Sequence, residues 1–261
     1  MFSVKRMVSK FRKIYEGKFF FRCFVFIATV ALFIFAPEQF DVMSGWNFFK
    51  GFSVFHILWL IWVLDMFLQI FPSRKYLPIG SSKFHIKDFI PREIKNIKNL
   101  ENLLAYIKKC NSDTIKIGLV WFALVAVVAA LYFTGIIGRN MLLVFSVAFY
   151  VCDLICVLFW CPFRVWFMKN RCCTTCRIFN WDHMMMFSPI VFVPGFFTWS
   201  LCALSVFVLA VWEISFALHP ERFYEGTNSA LSCANCTDRL CGMRRNCAAD
   251  IPSIENITKG I

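Results

Sequence analysis

The sequence predicts an all-α fold: a polytopic transmembrane helix bundle of about five spans, with a cytoplasmic amphipathic surface helix and a small cysteine-rich C-terminal tail. Apolar residues fill 59% of the 261 positions, against roughly 45–50% in soluble domains, and mean hydropathy is +0.63. These residues fall into five blocks, and about 20 helical residues cross a hydrocarbon core of about 30 Å. Because backbone groups in lipid need partners within their own segment, each block should be a helix.

The five blocks are Phe19–Ala36, Phe52–Phe71, Ile117–Ile137, Met141–Met168 and a stretch within Phe187–Leu218. A long basic stretch precedes the first block and no cleavage pattern follows it, so it should remain as an anchor. The last block contains Pro194 and Gly195, which predict a break in the helix. We expect a short interfacial or re-entrant piece followed by a span from Ser200 to Leu218. Two full spans would need about 40 residues, so one crossing is favoured.

Lysine and arginine counts predict the orientation. Seven basic residues lie up to Arg22 and ten in 73–116, whereas the loops 37–51 and 138–140 carry one each, Lys50 and Arg139. The positive-inside rule places the N-terminus, the central loop and the loop 169–186 in the cytoplasm, and the tail outside. The resulting segments are 1–18, 19–72, 73–116, 117–168, 169–186, 187–218 and 219–261.

The net charge of +12 does not indicate a nucleic-acid partner. Seventeen of the 28 basic residues lie in the first two cytoplasmic segments, beside apolar helices. Topology and anionic headgroups account for charges in that position. The predicted partner is therefore the lipid bilayer.

The central loop carries an amphipathic pattern. Asp88 suits a helix cap and Pro91 the first turn. At the spacing of a helix, the apolar residues that follow lie on one face and the basic residues lie on the opposite face. We expect a helix lying on the cytoplasmic membrane surface, with docking of a partner protein as the alternative. The apolar face comprises Ile90, Ile94, Ile97, Leu100, Leu104 and Ile107, and the basic face Arg92, Lys95, Lys98 and Lys108.

Two carboxylates fall deep within apolar blocks. Asp65 and Asp153 should lie at similar depth and could face one another. Charges inside a membrane are costly and often functional. A pair at close range would share a proton and could contact a quinone headgroup. The alternative is a protonated aspartate that makes a hydrogen bond between packed helices.

A cysteine cluster follows the fourth block. Cys172, Cys173 and Cys176 contain a C-x-x-C, whose thiolates can meet at one ion or at each other. Asp182 and His183 offer further ligands. Five other cysteines lie in or beside spans, where a thiol behaves as a small apolar group, and they are expected in the core. They are Cys23, Cys152, Cys156, Cys161 and Cys202.

The tail reads C-x2-C-x4-C-x5-C, through Cys233, Cys236, Cys241 and Cys247. Four cysteines are the full ligand set for zinc or an iron-sulfur cluster, although the spacing matches neither ferredoxin pattern. On the outer side of a membrane the same residues could instead form two disulfides.

Three functions remain open from sequence. The preferred one is electron transfer at the membrane, with both cysteine clusters binding zinc or iron-sulfur and a quinone or redox protein as partner. The second is thiol-disulfide exchange, in which cysteine pairs communicate through the membrane cysteines. The third is a scaffold or transporter subunit with structural cysteines. No phosphate loop, H-E-x-x-H or G-x-S-x-G is present to indicate nucleotide or hydrolase chemistry.

Overall fold

The residues that the structure describes form six α-helices and no strand. The computed structural model describes residues 10–71, 85, 89–92, 97–170, 172 and 175–232. Four helices are long and apolar enough to cross a membrane, and α2 is a shorter apolar helix of 17 residues. The predicted all-α bundle is therefore confirmed. The helices are α1 (Lys10–Phe35), α2 (Val54–Ile70), α3 (Ile97–Phe133), α4 (Arg139–Leu158), α5 (Asp182–Phe187) and α6 (Phe196–Leu218).

Contacts between helices define the two ends of the bundle. Phe19, early in α1, lies edge-on to Phe159, which follows α4, so these two helices run antiparallel. The indole of Trp59 in α2 donates to Ser200 of α6 at 2.9 Å, close to the start of both, so α2 and α6 are parallel. We call the end where α1 begins the basic end. The first turns of α2 and α6 lie at the opposite end.

α3 is one continuous helix of 37 residues. At 1.5 Å per residue it is about 55 Å long, well beyond a hydrocarbon core of about 30 Å. The amphipathic stretch from Ile97 therefore continues without a break into the third span, and its position on the membrane surface stays a prediction. No proline interrupts the sequence between Ile97 and Phe133, so nothing ends the helix at the membrane boundary.

The predicted helix start at Asp88 and Pro91 differs from the structure. Residues 89–92 lie against residues 227–229: Arg92 N–H donates to the Thr227 carbonyl, and Ser229 N–H to the Ile90 carbonyl, both at 2.9 Å. Pro91 forms an isolated antiparallel bridge with Asn228. Asp88, Ile94 and Lys95 lie outside the described residues. This short pairing ties the central loop to the segment that follows α6.

An inserted segment, residues 175–195, passes through the bundle between α4 and α6. Asp182 contacts Gln69 near the end of α2, Trp121 in mid-α3 donates to Ser188, and Phe192 packs on Phe133 where α3 ends. The segment therefore runs from the basic end to the opposite end. It uses α5 and a 3₁₀ turn, Ser188–Phe192, whose rise of about 2.0 Å per residue is steeper than that of an α-helix.

The chain turns back at Pro194 and Gly195. Gly45 N–H donates to the Pro194 carbonyl and Phe196 N–H to the Gly45 carbonyl, each at 2.9 Å. The break predicted at this position is confirmed. The sequence predicted one crossing for this block, whereas in the structure residues 175–195 and α6 run along the bundle in opposite directions. The first arm of this hairpin begins before Phe187, so the hairpin uses residues outside the predicted block and its length agrees with the estimate of about 40 residues.

This return crossing changes the position of the tail. Arg177 pairs with Glu213 of α6, and Tyr106 of α3 donates to the Phe223 carbonyl at 3.0 Å. Residues 219–232 thus lie at the basic end, together with the start of α1. The sequence predicted the tail and the N-terminus on opposite sides, whereas residues 219–232 lie at the same end of the bundle as the start of α1, because residues 175–195 carry the chain back along it. Irregular backbone is tolerated at this depth when it is surrounded by protein.

Candidate functional site

Arg22 is the centre of a buried polar group in the half of the bundle nearest the basic end. Its side chain is largely enclosed, with the residue 7% exposed. The guanidinium donates to Asp153 at 2.5 Å and to the Tyr150 carbonyl at 2.7 Å, and lies 3.5 Å from Asp65. It also stacks on the Tyr150 ring at 3.9 Å. Three helices, α1, α2 and α4, are therefore joined through one arginine.

His183 extends this group into the inserted segment. Its Nε2 lies 3.5 Å from Asp65, and its Nδ1 lies 3.1 Å from Asp182. Gln69 donates to Asp182 at 3.0 Å. Each ring nitrogen thus faces a carboxylate oxygen, and a protonated imidazole would donate to both. We call Lys18, Arg22, Asp65, Gln69, Asp153, Asp182 and His183 together the Arg22 cluster.

The structure brings Asp65 and Asp153 into this one cluster, although with Arg22 between them. Sequence reasoning had counted Arg22 among the charges that set topology. A signal was available: three phenylalanines precede Arg22 and a long apolar run follows it, and a charge in that position is costly unless it has partners. Asp182 and His183 were considered as ligands for the C-x-x-C, but among the contacts described they face Gln69 and Asp65.

A second feature is an apolar cavity of about 110 Å³, which we call the cysteine cavity. One wall is a single face of α4, because residues spaced by three and four lie above one another on a helix. The opposite wall comes from α3, the loop after α4 and the inserted segment. The α4 wall comprises Phe149, Cys152, Asp153, Cys156 and Val157, and the opposite wall includes Trp121, Cys161, Phe163, Cys176, Met185 and Met186.

Four thiols therefore share one apolar space. Cys156 in the last turns of α4 and Cys161 just after the helix both line this space. Pro162 follows immediately, and the π-helical turn Phe163–Met168 begins there, so α4 ends between the two cysteines. Neither forms a disulfide in the structure. The prediction that these cysteines are core residues holds for Cys161, which is buried, whereas Cys156 is half-buried and Cys152 is exposed; all three line the cavity.

Two of the cysteines predicted for the cytoplasmic metal site, Cys172 and Cys176, differ in burial. Cys176 is buried, and burial raises the pKa of its thiol to about 12, which disfavours the thiolate that a metal ligand requires. Cys172 is half-buried, and Cys173 lies outside the described residues, as do Cys233, Cys236, Cys241 and Cys247. Within the part of the chain that is described, no three His, Cys, Asp or Glu side chains are placed to hold a metal. The zinc and iron-sulfur sites stay predictions.

Arg177, adjacent to Cys176, fixes the inserted segment at the basic end. Its guanidinium contacts Glu213 of α6, donates to Asn111 of α3 at 2.5 Å and stacks on Phe216 at 3.9 Å. The Trp181 indole donates to the same glutamate at 2.8 Å. These contacts hold the cavity wall that carries Cys176.

A smaller polar cavity, of about 30 Å³, lies on the other side of Asp153 and Asp182. The whole Arg22 cluster lines it, together with Tyr15. Asp153, Val157, Phe179 and Asp182 line both this cavity and the cysteine cavity. A thin wall bearing two carboxylates therefore separates the thiols from the Arg22 cluster.

Comparison with known proteins adds no relative: no family model, curated protein or solved structure matches this chain.

Proposed function

We propose that the protein is a membrane-embedded thiol-disulfide oxidoreductase, in which the Cys156 and Cys161 dithiol passes electrons to a quinone-type acceptor held in the cysteine cavity. The observation that supports this most is that these two thiols, from either side of the end of α4, line the same apolar cavity. Cys152 and Cys176 line the same space, so a disulfide could be passed onward by exchange. The proposal combines the thiol-disulfide chemistry of the second function that the sequence left open with the quinone contact of the first.

The reaction balances without a further reagent. The S–H bonds of Cys156 and Cys161 break and one S–S bond forms, which oxidises the pair by two electrons. The quinone takes these two electrons and the two protons released from the thiols, and becomes a hydroquinone. A metal is not required for this step.

The cavity suits an apolar ring with a polar edge. Apolar side chains and thiols together form most of its lining, and its volume approaches that of engineered cavities of about 150 Å³ that bind benzene. Asp153 lies at the boundary with the polar cavity and can accept a hydrogen bond from a hydroquinone hydroxyl. Asp65, the other residue predicted to contact a quinone, does not line this cavity. We assign that contact to Asp153.

The basic end faces the cytoplasm in this proposal. Lys50 and Arg139 are the two basic residues in the segments that connect helices at the opposite end, and the other 26 of the 28 lie elsewhere in the sequence. This distribution agrees with the positive-inside rule for an even number of crossings. The N-terminus keeps its predicted side, and residues 219–232 lie on the same side.

Purified protein in lipid nanodiscs would be reduced, freed of reductant and mixed with a short-chain benzoquinone. We expect one quinone to be reduced for every two thiols lost, followed by quinone absorbance and by thiol titration. Cys156→Ser and Cys161→Ser should each abolish this two-electron reaction, because the remaining thiol has no partner within the pair.

Cys202→Ser is the matched control. Cys202 is also a half-buried cysteine in a span, but it donates to the Phe187 carbonyl and does not line the cysteine cavity. It should leave the stoichiometry unchanged. Equal loss of activity in Cys202→Ser, or full activity in Cys156→Ser, would contradict the proposal.

A further inference from the structure

We propose that the Arg22 cluster is a proton-binding site: it holds one exchangeable proton on His183, shared with Asp65 and Asp182, and one water bound to Gln69. This inference rests on the polar cavity and not on the proposed redox reaction. The ligand is a proton delivered from water at the basic end.

Counting charges gives the first argument. The cluster has three carboxylates, Asp65, Asp153 and Asp182, and two basic side chains beside them, Arg22 and Lys18. One negative charge is left over if the imidazole is neutral. An unbalanced charge is costly in a buried site, and a proton on His183 removes it. The imidazolium would then donate from each nitrogen to a carboxylate that already faces it.

Gln69 gives the second, independent argument. It is 2% exposed, and while its amide nitrogen donates to Asp182, its oxygen Oε1 has no hydrogen-bond partner. A buried amide oxygen left without a donor costs about 1–3 kcal/mol. Gln69 lines the polar cavity, whose volume of about 30 Å³ is enough for one water molecule. A water there donates to Oε1 and is close to the carboxylates that share the proton.

The surroundings of His183 suit proton exchange with the basic end. From α1 come Tyr15, Lys18 and Arg22, from α2 Asp65, from α4 Asp153, and from α5 Asp182. Tyr15 and Lys18 lie one turn or more closer to the start of α1 than Arg22 does. They mark the side of the polar cavity nearest the aqueous phase, which a proton or water can reach without crossing the bundle.

The proton should appear in the pH dependence of unfolding. An unfolded histidine has an ordinary pKa of about 6.5, so above that pH the unfolded chain has lost a proton that the folded chain keeps. Stability then falls as pH rises. Between pH 6.5 and 8, unfolding in detergent by SDS titration should show the ratio of folded to unfolded protein falling by up to about tenfold per pH unit.

His183→Gln should remove this slope, since glutamine keeps a hydrogen-bonding side chain but cannot bind the proton. Asp182→Asn tests the charge count separately, because it leaves two carboxylates against Arg22 and Lys18 and so removes the need for a proton. It also keeps the experiment decisive if His183→Gln does not fold. His219→Gln is the control, as a half-exposed histidine beside Glu221 that lies outside the cluster.

A flat profile in the unaltered protein would overturn the proposal, and so would a slope that persists in both His183→Gln and Asp182→Asn. The unfolding experiment does not measure quinone reduction. A negative result therefore leaves the redox proposal standing, and failure of the quinone experiment leaves this one standing.

Discussion

At the scale of single residues, the stability of the Arg22 cluster within the bundle depends on Arg22 itself. It is the shared partner of Asp65 and Asp153, which come from two other helices. Removing one member of a buried ion pair leaves an uncompensated charge, and this costs more than the intact pair contributes. The acidic residues in the spans are thus explained by an arginine that the positive-inside count had assigned to the cytoplasmic side.

Arg22→Met should therefore lower the free energy of unfolding by about 3–5 kcal/mol. Replacing Asp153 by Asn in the same chain should recover part of that loss, because it removes the carboxylate left without its partner. SDS titration of the single and double variants measures both effects. Additive losses in the double variant would show that the two side chains do not interact.

Cys176 should react slowly with alkylating agents. Burial raises the pKa of its thiol to about 12, so very little thiolate is present at pH 8. Labelling with iodoacetamide should increase about tenfold per pH unit between pH 8 and 10, as the thiolate fraction rises. Peptide mass spectrometry can compare it with the half-buried Cys172, which should be labelled first at pH 8. Equal labelling of both would contradict the buried position of Cys176.

At the scale of elements, the helix blocks were predictable because lipid imposes a local rule on the sequence. A run of about 20 apolar residues has to form a helix wherever it lies in the fold. The inserted segment is constrained differently. Because protein surrounds it, it can pass through the bundle as short helices, without a long run of apolar residues. Its course depends on contacts with α2, α3 and α6 that are distant in sequence, which explains why the return crossing was not predicted.

The turn at Gly195 is the element on which that crossing depends. A Cβ atom added there would collide with the Met43 carbonyl oxygen. We expect Gly195→Ala to destabilise the protein by about 1–3 kcal/mol, the usual range for overpacking in a tight contact. Gly51→Ala is a suitable control, because nothing lies within 4 Å of the corresponding Cβ position. Thermal unfolding in detergent compares them, and equal midpoints would count against the Gly45–Gly195 contact.

At the scale of the whole molecule, the start of α1, the Cys172 region and residues 219–232 lie at one end of the bundle. Single-cysteine variants can test this with an impermeant maleimide applied to intact cells. Lys50→Cys should be labelled from outside, whereas Lys116→Cys and His219→Cys should be labelled only after the membrane is opened. Labelling of His219→Cys together with Lys50→Cys would restore the single crossing that the sequence had favoured.

Zinc and iron-sulfur binding can be tested with the whole chain, because the whole chain contains every predicted ligand. These ligands are Cys172, Cys173, Cys176 and the four tail cysteines. If the tail binds metal, anaerobically purified protein should contain about one zinc or one cluster per chain, and replacing Cys233 and Cys236 by Ser should remove it. Elemental and sulfide analysis measure this. Unchanged metal content in that double variant would rule out the tail as the site.

The proposed function depends most directly on whether Cys156 and Cys161 form a disulfide with each other when they are oxidised. Protein extracted from membranes after exposure to a quinone, with free thiols blocked at once, should yield a peptide pair joined through these two residues. Prior reduction should convert both to the blocked thiol. If Cys156 and Cys161 are fully blocked under oxidising conditions while other cysteines form disulfides, the pair is not the redox centre.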